Sequence, residues 1–265
     1  MKKVLSIAGS DSSGGAGMQA DLKTMICNGV FGMSVLTAVT AQNTVGVADV
    51  FDLPCSSVSA QIDAVFTDIV PDAVKIGMVS NKELIATIAE RLDFYQAPNI
   101  VVDPVMIATS QGRLLQEDAV SSFIEKLMPL ATVITPNLFE ASILSEMKVI
   151  THRDMEIAAA VIAKKTQAAI LIKGGHLEES ADDLLYQNGT CLWLKAPLID
   201  NLNTHGTGCT LSSAIASYLA KGEDLEHAVR KAKEYVTGCI AAQLNLGKGR
   251  GPLNHAYRGI VSAEK

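Results

Sequence analysis

Short apolar runs alternate with amphipathic stretches along most of this chain. Residues 4–8 are apolar and stop at Gly9, which predicts a buried strand. Residues 16–28 predict a helix with Gly29 as its stop. Residues 32–41, rich in Val, Leu and Thr, predict a second strand that ends in Gln42-Asn43-Thr44-Val45-Gly46. Val58, Ile62, Val65, Phe66 and Ile69 recur at helical spacing over 56–69. The alternation continues with strands at 73–78, 100–102, 132–134 and 169–172, and helices at 82–92, 120–127, 138–147 and 155–166. Asn188-Gly189 between 184–186 and 191–194 is a strong hairpin signal. A helix over 211–220 with Gly222 beyond it, and a last helix over 225–243, complete the pattern.

The strands are apolar without alternating in polarity, so both of their faces should be covered. The pattern predicts an α/β fold: a three-layer αβα sandwich on a mostly parallel sheet, with the hairpin as a small antiparallel edge. No repeat, low-complexity segment or linker interrupts it, so residues 1–265 read as one domain.

Composition narrows the function. Hydrophobic residues make up 48% of the 265 and aromatics 5%, enough for a large aliphatic core. The net charge of −6 argues against nucleic acid as a partner, but leaves phosphorylated small molecules open. The five cysteines (Cys27, Cys55, Cys191, Cys209 and Cys239) form no Cys-x-x-Cys pair, which reads as reduced thiols in a cytoplasmic protein. Lys2-Lys3 and the apolar run after them mimic a signal peptide, but the run is too short and ends at Asp11. No stretch is long enough to span a membrane.

The chemistry collects at predicted strand ends, where open parallel sheets bind ligands. Asn203-Thr204-His205-Gly206-Thr207-Gly208-Cys209-Thr210 precedes the helix over 211–220. Glycines before a helix let unpaired N–H groups and the positive end of the helix dipole converge on an anion. A thiol in that first turn should have its pKa lowered. The loop Gly9-Ser10-Asp11-Ser12-Ser13-Gly14-Gly15-Ala16-Gly17 is no Walker A loop, because Gly15 stands where the lysine is required. It is no dinucleotide fingerprint either, which disfavours a Rossmann dehydrogenase. Glu140 follows Asn137 by three residues at a helix start: the pair could be a capping box or could hold hydrated magnesium against phosphates. Asp103 could be a cap or turn residue, and His205 and His255 structural histidines or metal ligands.

Long motifs in fixed order resemble one family. They are 8–17 through Gln19-Ala20-Asp21-Leu22-Lys23-Thr24, Thr37-Ala38-Val39-Thr40-Ala41-Gln42-Asn43-Thr44, Lys75-Ile76-Gly77-Met78, Val102-Asp103-Pro104-Val105-Met106, Thr135-Pro136-Asn137-Leu138-Phe139-Glu140-Ala141, Lys173-Gly174-Gly175-His176, and the turn at 203–210. The chain resembles the ribokinase-like hydroxymethylpyrimidine and phosphomethylpyrimidine kinases of thiamine synthesis. Their relatives include pyridoxal kinases. The resemblance implies an ATP- and magnesium-dependent homodimer that phosphorylates the hydroxymethyl group of an aminopyrimidine, then its monophosphate. It implies that Gly206, Thr207 and Gly208 form the anion hole and that Cys209 takes the alcohol proton. Gly9, Ala16, Gln42 and Met78 would surround the pyrimidine. Asp103, Asn137, Lys173 and Lys233 would lie at the nucleotide, and Asp21 and Glu140 at the magnesium. Two departures, Asp200-Asn201-Leu202 before the anion turn and Arg250 before Gly251-Pro252, touch the nucleotide rim. Pyridoxal/pyridoxine kinase is the nearest alternative, with Gln42 as the residue that should separate the two. A nucleotide sensor without turnover is the alternative from another class.

Overall fold

The computed structural model describes residues 1–105, 117–175, 177 and 180–259. Met106 and His176, from two of the quoted motifs, lie outside them. In chain order the elements are β1 (Lys3–Ala8), α1 (Gly17–Cys27), β2 (Phe31–Leu36), β3 (Ala38–Asn43), β4 (Gly46–Asp52), α2 (Cys55–Phe66), β5 (Ala73–Ile76), α3 (Lys82–Phe94) and β6 (Ile100–Val102). Then follow α4 (Glu117–Ser122), β7 (Val133–Ile134), α5 (Leu138–Ser145), α6 (His152–Ile162), β8 (Ala169–Ile172), β9 (Asp183–Gln187), β10 (Thr190–Leu194), α7 (Thr207–Ala220) and α8 (Leu225–Ala241).

Eight strands form one sheet in the order β10-β9-β8-β7-β6-β5-β1-β2. All neighbours are parallel except β8–β9 and β9–β10. The edge hairpin turns at Asn188 and Gly189 with positive φ at both, as a tight hairpin turn requires. Alternate residues of each strand face opposite layers. Leu5 and Ile7 of β1 enter a core with α2, α3, α4, α5 and α6, while Val4 enters a second core with α1, α7 and α8. This is the predicted three-layer arrangement. No helix among the described residues is long and apolar enough to cross a membrane.

One predicted strand is divided. The chain leaves the sheet after Leu36, and β3 pairs antiparallel with β4 in a separate two-stranded ribbon. Thr37 makes the corner: its N–H donates to the Ala8 carbonyl and its hydroxyl to the Met78 carbonyl. The ribbon carries Gln42 above the loop that follows β1: the Ser12 hydroxyl donates to the Gln42 carbonyl at 2.7 Å and accepts from the Gln42 N–H at 2.9 Å. β1 connects to β2 on one side, and β5 lies on its other side. A crevice therefore opens at the C-terminal ends of β1 and β5, as at other switch points in parallel sheets.

Candidate active site

α7 starts from Gly206 in the left-handed region (φ 84°) with no side-chain cap. Its first-turn N–H groups need partners that the helix itself cannot supply. Gly206 also allows a close approach, since a Cβ there would fall 1.9 Å from the Gly15 carbonyl oxygen. The anion turn thus rests directly on the loop after β1. Asp11 binds the two together. Its carboxylate accepts from Ser13 N–H and hydroxyl, from Gly15 and Ala16 N–H, and from His205 Nε2 at 2.8 Å. Burial opposes that charge, yet these donors, His205 first, lower its pKa to about 2. His205 is therefore a brace, and its ring nitrogen also lies 3.4 Å from Gln42 Nε2. His255 is structural as well: its Nε2 lies 2.9 Å from Thr210 Oγ1, and burial lowers its pKa to about 4. Among the described residues no three His, Cys, Asp or Glu side chains are grouped to hold a metal.

Gln42 is half-buried, and its Oε1 accepts from Thr40 at 3.3 Å. Gly9 approaches Met78 closely: a Cβ would lie 3.2 Å from its sulfur. Ala16 N–H is engaged by Asp11. Gly9, Ala16, Gln42 and Met78 are thus joined through the loop after β1, the Thr37 corner and the ribbon.

On the other side of the turn, Lys173 donates to Asp103 at 2.7 Å and stands 3.9 Å from Glu140. Thr135 donates to the same Asp103 oxygen at 3.2 Å. Burial would lower the Lys173 pKa, but Asp103 and Glu140 hold it above the usual value. Gly208 lets this pair come close, for a Cβ there would lie 3.2 Å from both Asp103 Oδ2 and Lys173 Nζ. Asn137 and Glu140 form a full capping box, Asn137 Oδ1 accepting from Glu140 N–H and Glu140 Oε2 from Asn137 N–H.

Three expectations change. Asp21 is fully buried and its carboxylate is occupied by Lys75 at 2.7 and 2.9 Å, Ser6 at 2.6 Å and Ser213 at 2.7 Å. It is not presented to a metal. Lys233 donates to Asp183 at 2.6 Å and to the Ala181 carbonyl, tying α8 to the start of β9 rather than offering a free cation. Cys209 departs from the lowered pKa expected at a helix N-terminus. Burial chiefly, with Asp21 and Asp103, pushes its thiol up to about 11, against the pull of Lys75. Sequence reasoning also passed over Lys75 and Asp11 as organisers. Each lay in a quoted motif, and a lysine inside an apolar strand was the available signal for the first.

The departures at the rim have local uses. Asn201 Nδ2 donates to the Ile240 carbonyl and Asn201 Oδ1 accepts from Asn203 N–H, which tethers the approach to the anion turn. Arg250 is exposed.

The family described as phosphomethylpyrimidine kinase matches residues 11–254. A hydroxymethylpyrimidine/phosphomethylpyrimidine kinase of Rhizobium meliloti is 52% identical over 96% of this chain and 97% of its own. The crystal structure of phosphomethylpyrimidine kinase from Clostridium difficile is 46% identical, with TM-score 0.80 over 89% of this chain and 98% of that one. Pyridoxal kinase of Bacillus subtilis, solved as an ADP complex, is 40% identical, with TM-score 0.91 over 97% and 98% of the two chains.

Proposed function

The chain belongs to the phosphomethylpyrimidine kinase family, and from that membership we infer that it transfers the γ-phosphoryl group of ATP to 4-amino-5-hydroxymethyl-2-methylpyrimidine, and then to its monophosphate, in thiamine biosynthesis. The observation that carries this reading is the uncapped start of α7, set between the Asp103–Lys173 pair and the Gln42 ribbon.

Phosphoryl transfer asks mainly for positioning and charge neutralisation. The N–H groups of 206–209 would receive the charge on the transferred group, each donor being worth about 3 kcal/mol in the transition state. Lys173 would exchange part of its contact with Asp103 for phosphate oxygen. Asn137 would hold α5, and so Glu140, in register with the nucleotide. Magnesium, when bound, neutralises and orients phosphate oxygens, and it needs few protein oxygens. Glu140 fits as one of these, with Asp103 beside it; Asp21 does not. Lys233 would act on the nucleotide through the Asp183 loop.

An aminopyrimidine presents an NH₂ donor beside a ring-nitrogen acceptor, and a glutamine amide offers the complementary pair. Gln42, its backbone held by Ser12 and its side chain by Thr40, would read that edge above Gly9, Ala16 and Met78. Cys209 stands in the turn where the alcohol proton departs. Its thiol is protonated at rest, so base assistance is a small term, as a loose transition state allows. The likeness to a pyridoxal kinase favours pyridoxal or pyridoxine as the second reading.

The same reading takes 1–265 as one domain of a cytoplasmic homodimer. The exposed Val39, Val45, Val50 and Phe51 of the ribbon are apolar surface for a second copy to cover. Coupled ADP release across hydroxymethylpyrimidine, its phosphate, pyridoxal and pyridoxine tests the assignment. A higher kcat/KM for either vitamer than for the pyrimidine would overturn it.

A further inference from the structure

Lys75 lies inside the central sheet with none of its side chain exposed. Its strand neighbours Val74 and Ile76 face the opposite core, so Lys75 points to the α1 and α7 layer. The ammonium runs along the strand toward the site edge, since a Cβ on Gly77 would fall 2.6 Å from Lys75 Nζ. Gly77 is what leaves it room. Asp21 of α1 holds the ammonium with both oxygens, and Ser6 and Ser213 complete the Asp21 carboxylate. Ser213 lies four residues after Cys209 on α7, hence on the same helix face one turn deeper. The titratable groups facing Lys75 are Asp21, Cys209 and Asp103, and Asp103 is itself paired with Lys173.

A buried ion pair replaced by neutral groups of similar size often leaves stability unchanged or improved. A fixed pair beneath an anion-binding turn therefore invites a role other than stability. Resting on the kinase reading above, we propose that Lys75 is a positioning residue for phosphoryl transfer: a fixed positive charge beneath the anion turn that acts through Cys209 and the first turn of α7. Asp21 holds the ammonium in place without fully cancelling its field at the turn. As negative charge gathers on the transferred group and the acceptor oxygen, Lys75 stabilises it without moving.

The test is the double variant Lys75→Met with Asp21→Asn, which removes both charges and keeps the volume. Its kcat should fall at least about 10-fold while KM for ATP and pyrimidine stays within about threefold, the pattern of an interaction made in the transition state. A second readout needs no substrate. Iodoacetamide labelling of Cys209 at fixed alkaline pH, followed on its own peptide by mass spectrometry, should slow by roughly three- to fourfold for a one-unit rise in thiol pKa, the tenfold loss of thiolate being partly offset by its greater nucleophilicity. In a variant that melts as the wild type does, kcat within twofold of wild type would overturn the proposal. So would unchanged Cys209 labelling. If the wild-type chain transfers no phosphate to the pyrimidine, the function fails instead, and the labelling still decides the role of Lys75.

Discussion

Two lysine–aspartate pairs flank the start of α7, and they are built differently. Lys75–Asp21 is closed: both side chains are 0% exposed and both Asp21 oxygens accept from more than one donor. Lys173–Asp103 is open: Lys173 keeps 15% of its side chain exposed, and Asp103 receives its firm contacts on one oxygen. Ser212 reaches the other oxygen only at 3.5 Å. A closed pair cannot be exchanged for a ligand and acts as fixed charge. An open pair can trade part of its contact for a phosphate. On the kinase reading proposed above, the same two residue types therefore serve as scaffold on one side of the turn and as binding group on the other.

Breaking the closed pair from one side should have the largest effect. Lys75→Met leaves Asp21 buried without its counter-ion and should lower stability by about 3–5 kcal/mol, read from the urea midpoint. Lys173→Met should spare the fold, costing roughly 1–2 kcal/mol because Asp103 keeps Thr135, while kcat drops by about 10²-fold or more. Equal melting of the two variants would erase the distinction between the pairs. Cys209→Ala sharpens it. With a thiol at about 11, the loss in kcat should be roughly tenfold, below the usual range for a general base. A loss of a thousandfold would mean that the thiolate does the chemistry. Gln42→Met should lower pyrimidine kcat/KM by roughly 10- to 100-fold and pyridoxal turnover by less. Glu140→Gln retains a capping side chain, so melting should hardly change while the magnesium needed for half-maximal rate rises about twofold or more.

Most of the sheet was legible because its strands are apolar on both faces and its turns carry Gly or Asn. The division at Thr37 was not. Nothing in 32–41 breaks the apolar run, and β4 is mostly exposed, so it has no buried face to mark it. What pulls β3 out of the sheet is the corner at Thr37 and its pairing with β4, both tertiary facts. The site showed the same split. The anion turn is a local pattern and could be read from its glycines. The state of Cys209 could not, because it is set by burial and then by Lys75 of β5, Asp21 of α1 and Asp103 just after β6, all brought in by the fold. Asp21 and Lys233 were placed by motif near the phosphates, yet each is engaged by a partner far along the chain, Lys75 and Asp183.

The brace between Asp11 and His205 spans 194 positions in sequence. Contacts so distant are late to form, because a long loop must close before they repay it. On a ribosome, the proposed phosphate turn therefore lacks this brace until the chain has emerged past His205. A nascent chain can complete much of its sheet and still be unable to capture nucleotide. Ligand binding then reports completed synthesis, and a chain cut short before α7 is inert rather than a nucleotide trap.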